Sequence, residues 1–192
     1  MFPARIRQSG NAGGWATVFL SMTETAAPAV TDLPEGTQRV VADAEARGIP
    51  IRVRERGPAT SLADAAAQIG IEPGALVKTL VIRRHDGSFL LALVPGGRKI
   101  SWPLLRQAVG VNRLALPHAD LALEATGFER GTITPLGTTT ALPVFADASI
   151  AELPEDSWIG LGSGSHRHGI LVPAAALLAG VNATVAPITE VE

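Results

Sequence analysis

The chain has 192 residues, 46% of them hydrophobic, with 16 Lys plus Arg against 18 Asp plus Glu and no cysteine. That length can bury one real core, and the missing cysteines exclude a disulfide framework, an iron–sulfur cluster, a cysteine nucleophile and any thiolate zinc site. A formal net charge of −2 argues against a whole-surface nucleic-acid binder, and the longest apolar run, 170–181, is interrupted by Pro173 and too short to span a membrane.

The absence of Tyr, with only three Trp and five Phe, leaves few platforms for stacking bases. The expectation is a soluble, compact, cytoplasmic protein. Residues 1–35 lack the periodicity of the rest. They read as a disordered leader with Met22 a candidate start, and 36–192 as the folded domain.

From residue 37 the pattern is regular. Val40, Val41 and Ala44 are spaced for a helix over 37–47, with Gly48 at its C-terminal cap. Residues 50–54 alternate as a strand with a basic outer face. Ser61, with Asp64 three residues on, opens an Ala-rich helix ending near Gly70. Residues 76–84 and 89–94 predict strands joined by a hairpin turn through Asp86 and Gly87. Short helices are expected over 101–109 and 117–125, and strands over 142–146, 158–161 and 170–172. Pro173 opens an Ala/Leu helix that stops at Gly180, and 183–186 is a last strand. Hairpins and isolated strands with irregularly placed helices point to an α+β domain with a mixed sheet.

Charge is divided along the chain. Residues 50–113 carry ten basic and four acidic side chains, whereas 114–192 carry two basic and nine acidic. A face built from the first segment, Arg52 and Arg54 included, could meet an RNA backbone or could simply be solvated.

Three places could carry chemistry. Lys78 shares a strand face with Leu76 and Leu80, so its ammonium either snorkels outward or faces a pocket where an anion or carbonyl partners it. Residues 127–137 hold three glycines and a proline, a shaped loop able to present backbone N–H groups to an anion or oxyanion, or else a surface turn. Residues 160–169 form a Gly/Ser/His loop that matches neither a Walker loop nor a nucleophile elbow. Ser163, Ser165 and His166 with Asp147 have no triad spacing. His166 and His168 find no evident third metal ligand among four histidines, so neither metal nor cofactor is expected.

Val77-Lys-Thr-Leu-Val81, Ala92-Leu-Val-Pro95, Thr126-Gly-Phe-Glu-Arg-Gly131-Thr-Ile-Thr-Pro135-Leu-Gly137, Leu142-Pro-Val-Phe-Ala-Asp147 and the 160–169 loop follow one another in a familiar order. Together they resemble the YbaK-type aminoacyl-tRNA deacylase family, which includes the editing insertion of bacterial prolyl-tRNA synthetases. The resemblance covers residues 37–190. It implies an α+β domain whose mixed sheet curls into a partly closed barrel. It also implies hydrolysis of a wrong amino acid, cysteine or alanine, from the 3′ adenosine of proline tRNA.

By the same resemblance Lys78 is the signature lysine, acting on the terminal phosphate or ester carbonyl, and the Gly131 N–H serves the oxyanion. Thr79, Pro135, Asp147, Ser163, Gly164 and His166 are implied substrate-binding positions. The implied partner is the aminoacyl-tRNA acceptor end, with prolyl-tRNA synthetase a further candidate and neither membrane nor DNA involved. With no room for a synthetase in 192 residues, the expected action is in trans. A non-catalytic tRNA-acceptor or nucleotide-binding module is the alternative, and a hydrolase of small free esters a third reading.

Overall fold

A computed structural model describes residues 32–192. The expected leader falls, as far as residue 31, outside the described residues. Leu33 is already buried and its carbonyl accepts a hydrogen bond from the Gln38 side chain at 2.6 Å, so the packed unit includes residues ahead of 36.

The first half runs α1 (Glu35–Ala46), β1 (Arg52–Glu55), α2 (Leu62–Ile69), β2 (Val77–Arg84) and β3 (Phe89–Pro95). Then come β4 (Arg98–Ile100), α3 (Trp102–Val109), β5 (Leu114–Ala115) and α4 (Ala119–Thr126). After a long loop follow β6 (Val144–Asp147), α5 (Ala148–Ala151), β7 (Trp158–Gly162), β8 (His168–Pro173), α6 (Ala174–Gly180), β9 (Thr184–Ala186) and β10 (Thr189–Val191).

Local rules account for the boundaries. In α1 the buried stripe is Thr37, Val40, Val41 and Ala44, the helical spacing read from the sequence. The Ser61 hydroxyl caps α2 by accepting the Asp64 N–H at 3.0 Å, and Gly70 ends it in the left-handed region at φ 78°. The β2–β3 turn closes through the Arg84 N–H on the Ser88 carbonyl, with Gly87 at φ 89°.

The main sheet is mixed, in the order β5-β2-β3-β6-β9. Antiparallel pairs on the β5 side give way to parallel β3/β6 and β6/β9 pairs. Both faces are covered. On one, Val77, Val81, Leu91 and Leu93 pack with Phe128, Ile133, Leu161 and Leu177. On the other, Ile82, Leu90, Ala92 and Val94 pack with Leu105, Phe145 and Ile188. A second sheet, β1-β8-β7, is antiparallel, and β10 pairs with β4.

The expected partly closed barrel is not formed. Among the described residues the sheets stay separate, and a single bridge, Leu76 to Gly160, joins the main sheet to the second one. On the side of β2 away from β3, the only strand among the described residues beyond that bridge is the two-residue β5, paired at Arg83 and Arg84. Pro117, which has no N–H to donate, follows closely after β5 and helps keep it short. Among the described residues, the edge of β2 between residues 77 and 82 therefore has no strand beside it.

Candidate functional site

Where the two sheets part, a cavity of about 350 Å³ opens along that bare edge. Residues 76–81 of the β2 segment form one wall. Ile69 of α2, Leu116, Ile133 and Leu161 contribute apolar walls, and Arg56, Arg130 and Gly131 are also in the lining. A larger, shallower depression of about 950 Å³ adjoins it, sharing Arg56 and Gly131 and adding His166, Arg167 and Gln68.

The loop carrying Gly131 is held at several points. Arg39 of α1 donates to the Gly127 carbonyl at 2.7 Å and lies 4.8 Å from the Phe128 ring centre. Asp43, also on α1, accepts the Gly137 N–H at 2.8 Å. The Gly164 N–H donates to the Thr132 carbonyl at 2.8 Å. So fixed, Gly131 sits exposed at φ 92°, a conformation that favours glycine. Among the described residues nothing accepts its N–H. Arg56 donates through Nε to the His168 carbonyl at 3.1 Å and reaches the Gly131 carbonyl at 3.5 Å, and burial lowers its guanidinium pKa from the ordinary value. Pro135 and Leu136 are buried beneath the loop, and Pro135 does not line the cavity.

Lys78 lines the cavity together with Leu76 and Leu80. Its ammonium is already engaged. It donates to the Arg98 carbonyl at 2.7 Å and to the Glu192 carboxylate at 2.8 Å, where β4 and β10 lie. The Lys78 hydrogen bond, and then its charge, hold the Glu192 carboxyl below the usual carboxylate range. Thr79 also lines the cavity, buried between Val77 and Val81, with a hydroxyl that has no partner among the described residues.

The remaining expected site residues lie around the cavity, beneath its loop or away from it. Ser163 is fully buried and its hydroxyl donates to the His168 carbonyl at 2.8 Å. Gly164 packs against Phe128 and the Gly36 backbone, and Gly162 lies so close to the carbonyls of Thr132 and Ile133 that a side chain would collide. This glycine-rich segment is thus the support on which the Gly131 loop rests. His166 is exposed, 3.1 Å from the Glu129 carboxylate and beside Gly131 at the edge of the depression.

Asp147 lies off the cavity and ties three segments together. One oxygen accepts the Ser149 N–H and hydroxyl at the start of α5; the other accepts the N–H groups of Ile188 and Thr189 and the Thr189 hydroxyl. Burial pushes its pKa up, but the bonds from Ser149, Thr189 and Ile188 outweigh that and hold it below the usual value.

Arg56 and Glu192 escape sequence reasoning. Arg56 continues the basic run of β1, and only tertiary packing turns it inward, whereas Arg52 and Arg54 stay exposed on β1. Arg52 lies 4.2 Å from the Trp158 ring centre. Among the described residues no group of three or more His, Asp or Glu is placed to hold a metal, and no helix is long and apolar enough to cross a membrane.

A family model described as the aminoacyl-tRNA editing domain matches residues 56–178. A proline–tRNA ligase of Trichlorobacter lovleyi is 28% identical over 95 residues, and the chain covers only 16% of that ligase's length. A protein of Enterococcus faecalis, named provisionally as a Cys-tRNA(Pro)/Cys-tRNA(Cys) deacylase, is 27% identical over 132 residues, 69% of this chain and 79% of the relative. A crystal structure described as a candidate trans-editing enzyme for prolyl tRNA synthetase superposes with a TM-score of 0.73 at 30% identity, covering 82% of this chain and 99% of that one.

Proposed function

This chain belongs to the aminoacyl-tRNA editing domain family, and from that premise we propose that it hydrolyses misacylated aminoacyl-tRNA in trans, releasing cysteine or alanine from proline tRNA. The observation that carries the proposal is the unpartnered Gly131 N–H on the same cavity that Lys78 lines. Action in trans is supported by the near-complete coverage of a chain described as a candidate trans-editing enzyme. Proline tRNA is supported by the names of the relatives.

An aminoacyl ester is already activated, so the protein's task is positioning and charge stabilisation, with no cofactor required. The 350 Å³ cavity lies at the low end of small-molecule sites (~300–1,000 Å³), which suits the aminoacyl end of an acceptor strand. A water attacks the ester carbonyl, assisted by the vicinal ribose hydroxyl. The Gly131 N–H donates to the oxyanion, and the ester C–O bond then breaks to free the amino acid and the ribose hydroxyl. One such donor contributes roughly 10²–10³ in turnover. Lys78 binds the terminal phosphate or ester carbonyl by exchanging Glu192 for the substrate anion. Arg56, Arg130, Arg167 and His166 flank the cavity and depression where the strand would enter. The same reading puts the protein in the cytoplasm, with prolyl-tRNA synthetase a candidate partner.

The test is incubation with a panel of mischarged tRNAs. Release of cysteine or alanine from proline tRNA, weakening as salt screens phosphate contacts, is the expected result. Affinity without release of any amino acid refutes the enzyme and leaves an acceptor-binding module. Cleavage of free amino-acid esters without regard to tRNA or salt refutes the substrate.

A further inference from the structure

The backbone of β2 holds unspent hydrogen-bonding capacity inside the cavity. In an antiparallel pair, successive residues direct their N–H and C=O alternately toward the partner strand and away from it. The Arg84 N–H points at Ser88 on the β3 side, and the Leu76 carbonyl accepts the Gly96 N–H on that same side. The even-numbered residues of β2 therefore face β3. Independently, Leu91, opposite Val81, spends its N–H on Pro143 beside β6, which makes Val81–Leu91 a non-hydrogen-bonded pair. Both observations turn the backbone groups of Thr79 and Val81 toward the edge where, among the described residues, no strand lies.

Thr79 and Val81 are both buried and line the cavity, and among the described residues no group bonds their outward-facing backbone atoms. Buried backbone groups are almost always paired, so an unpaired C=O and N–H in a cavity wall call for a ligand. Along the edge the Thr79 carbonyl, an acceptor, is followed by the Val81 N–H, a donor. The complement is a flat heterocycle with an amino donor beside a ring-nitrogen acceptor. Adenine offers that pair in N6–H and N1, and cytosine in N4–H and N3; with the ribose directed toward Gly131, guanine, hypoxanthine and uracil present the reverse order. Ile69, Leu80, Leu116, Ile133 and Leu161 supply aliphatic surface for its faces.

We infer that the β2 edge reads the terminal adenine of the acceptor strand, the Thr79 carbonyl accepting from N6 and the Val81 N–H donating to N1. This rests on the reading that the substrate ends in adenosine. It goes further by giving the base a seat made of main chain, in the manner by which extruded bases are read on their Watson–Crick edge. Seating the base on β2 leaves the ribose and ester free to lie toward Gly131.

Two measurements test it. In ¹⁵N-labelled protein, millimolar AMP is expected to shift the Val81 amide strongly and IMP to leave it in place. A silent Val81 amide with AMP overturns the inference, and so does an equal response to IMP. In the second, a chemically aminoacylated proline-tRNA acceptor carrying inosine at its 3′ end should lose at least tenfold in kcat/KM. A 7-deaza-adenosine end, which keeps N1 and N6, should react normally. Equal turnover of the inosine and adenosine ends overturns the inference while leaving the deacylase reading intact. Absence of turnover on any tRNA ends the deacylase reading, and the AMP titration then decides this one alone.

Discussion

Replacing Asp147 separates a structural carboxylate from a substrate-binding one. Its side chain is 3% exposed and accepts five donors, of which the N–H groups of Ser149, Ile188 and Thr189 are fixed by the backbone. A buried donor left without a partner costs about 1–3 kcal/mol. Three such donors put Asp147→Ala at no less than ~3 kcal/mol of lost stability on the low end of that range. Asp147→Asn keeps one oxygen and can serve only one of the two groups of donors, so it should lose about 1–2 kcal/mol.

The assay is urea denaturation of purified variants, with kcat/KM measured well below the midpoint. Turnover per folded molecule should stay within a few-fold of the parent chain. The pH dependence follows from sign. A carboxyl whose folded pKa is depressed contributes stability that is complete above its unfolded value and lost as pH falls through the folded one. The gap between parent and Asp147→Asn should therefore narrow in acid, below about pH 4. An Asp147→Asn protein with an unchanged urea midpoint and abolished turnover refutes this reasoning and returns Asp147 to the substrate.

Gly131→Val should cut turnover at least tenfold with a smaller effect on folding, because it strains a φ of 92° and crowds His166 at the cavity edge; wild-type kinetics would remove the Gly131 N–H from the mechanism. Lys78→Ala should lose at least about tenfold in kcat/KM, near 1.4 kcal/mol, with the fold retained. Glu192→Gln should lower KM by freeing the ammonium and leave the urea midpoint nearly unchanged, since the carboxylate is solvated. A normal KM and kcat in both variants would make the Lys78–Glu192 contact a surface ion pair and nothing more. Gly164→Ala places a methyl 2.6 Å from the Phe128 ring and 2.8 Å from the Gly36 backbone at φ 76°. It should lower thermal stability by about 1–3 kcal/mol, read as a fall in Tm, and an unchanged Tm would deny the supporting role of the 160–169 loop.

The sequence by itself carried whatever depends on neighbours along the chain. The stripe of α1, the Ser61 cap and Gly70 stop of α2 and the Asp86-Gly87 hairpin all follow from spacing and turn chemistry, and all occur as expected. The order of short motifs also carried the family. Strands such as β4, β5 and β10 gave no signal, because two or three residues are too few for a period and their pairing is decided by distant partners. Sequence could place Lys78 on a strand, but only the packing of β10 beside β4 brings Glu192 to its ammonium. It could mark Asp147, Ser163 and Gly164 as notable, but not that the first ties 188–189 to α5 and the others support the Gly131 loop. Nor could it foresee the open edge of β2, on which the cavity and the adenine seat depend. Periodicity tells which side of a strand a residue faces; whether another strand lies beside that edge is settled by the whole topology.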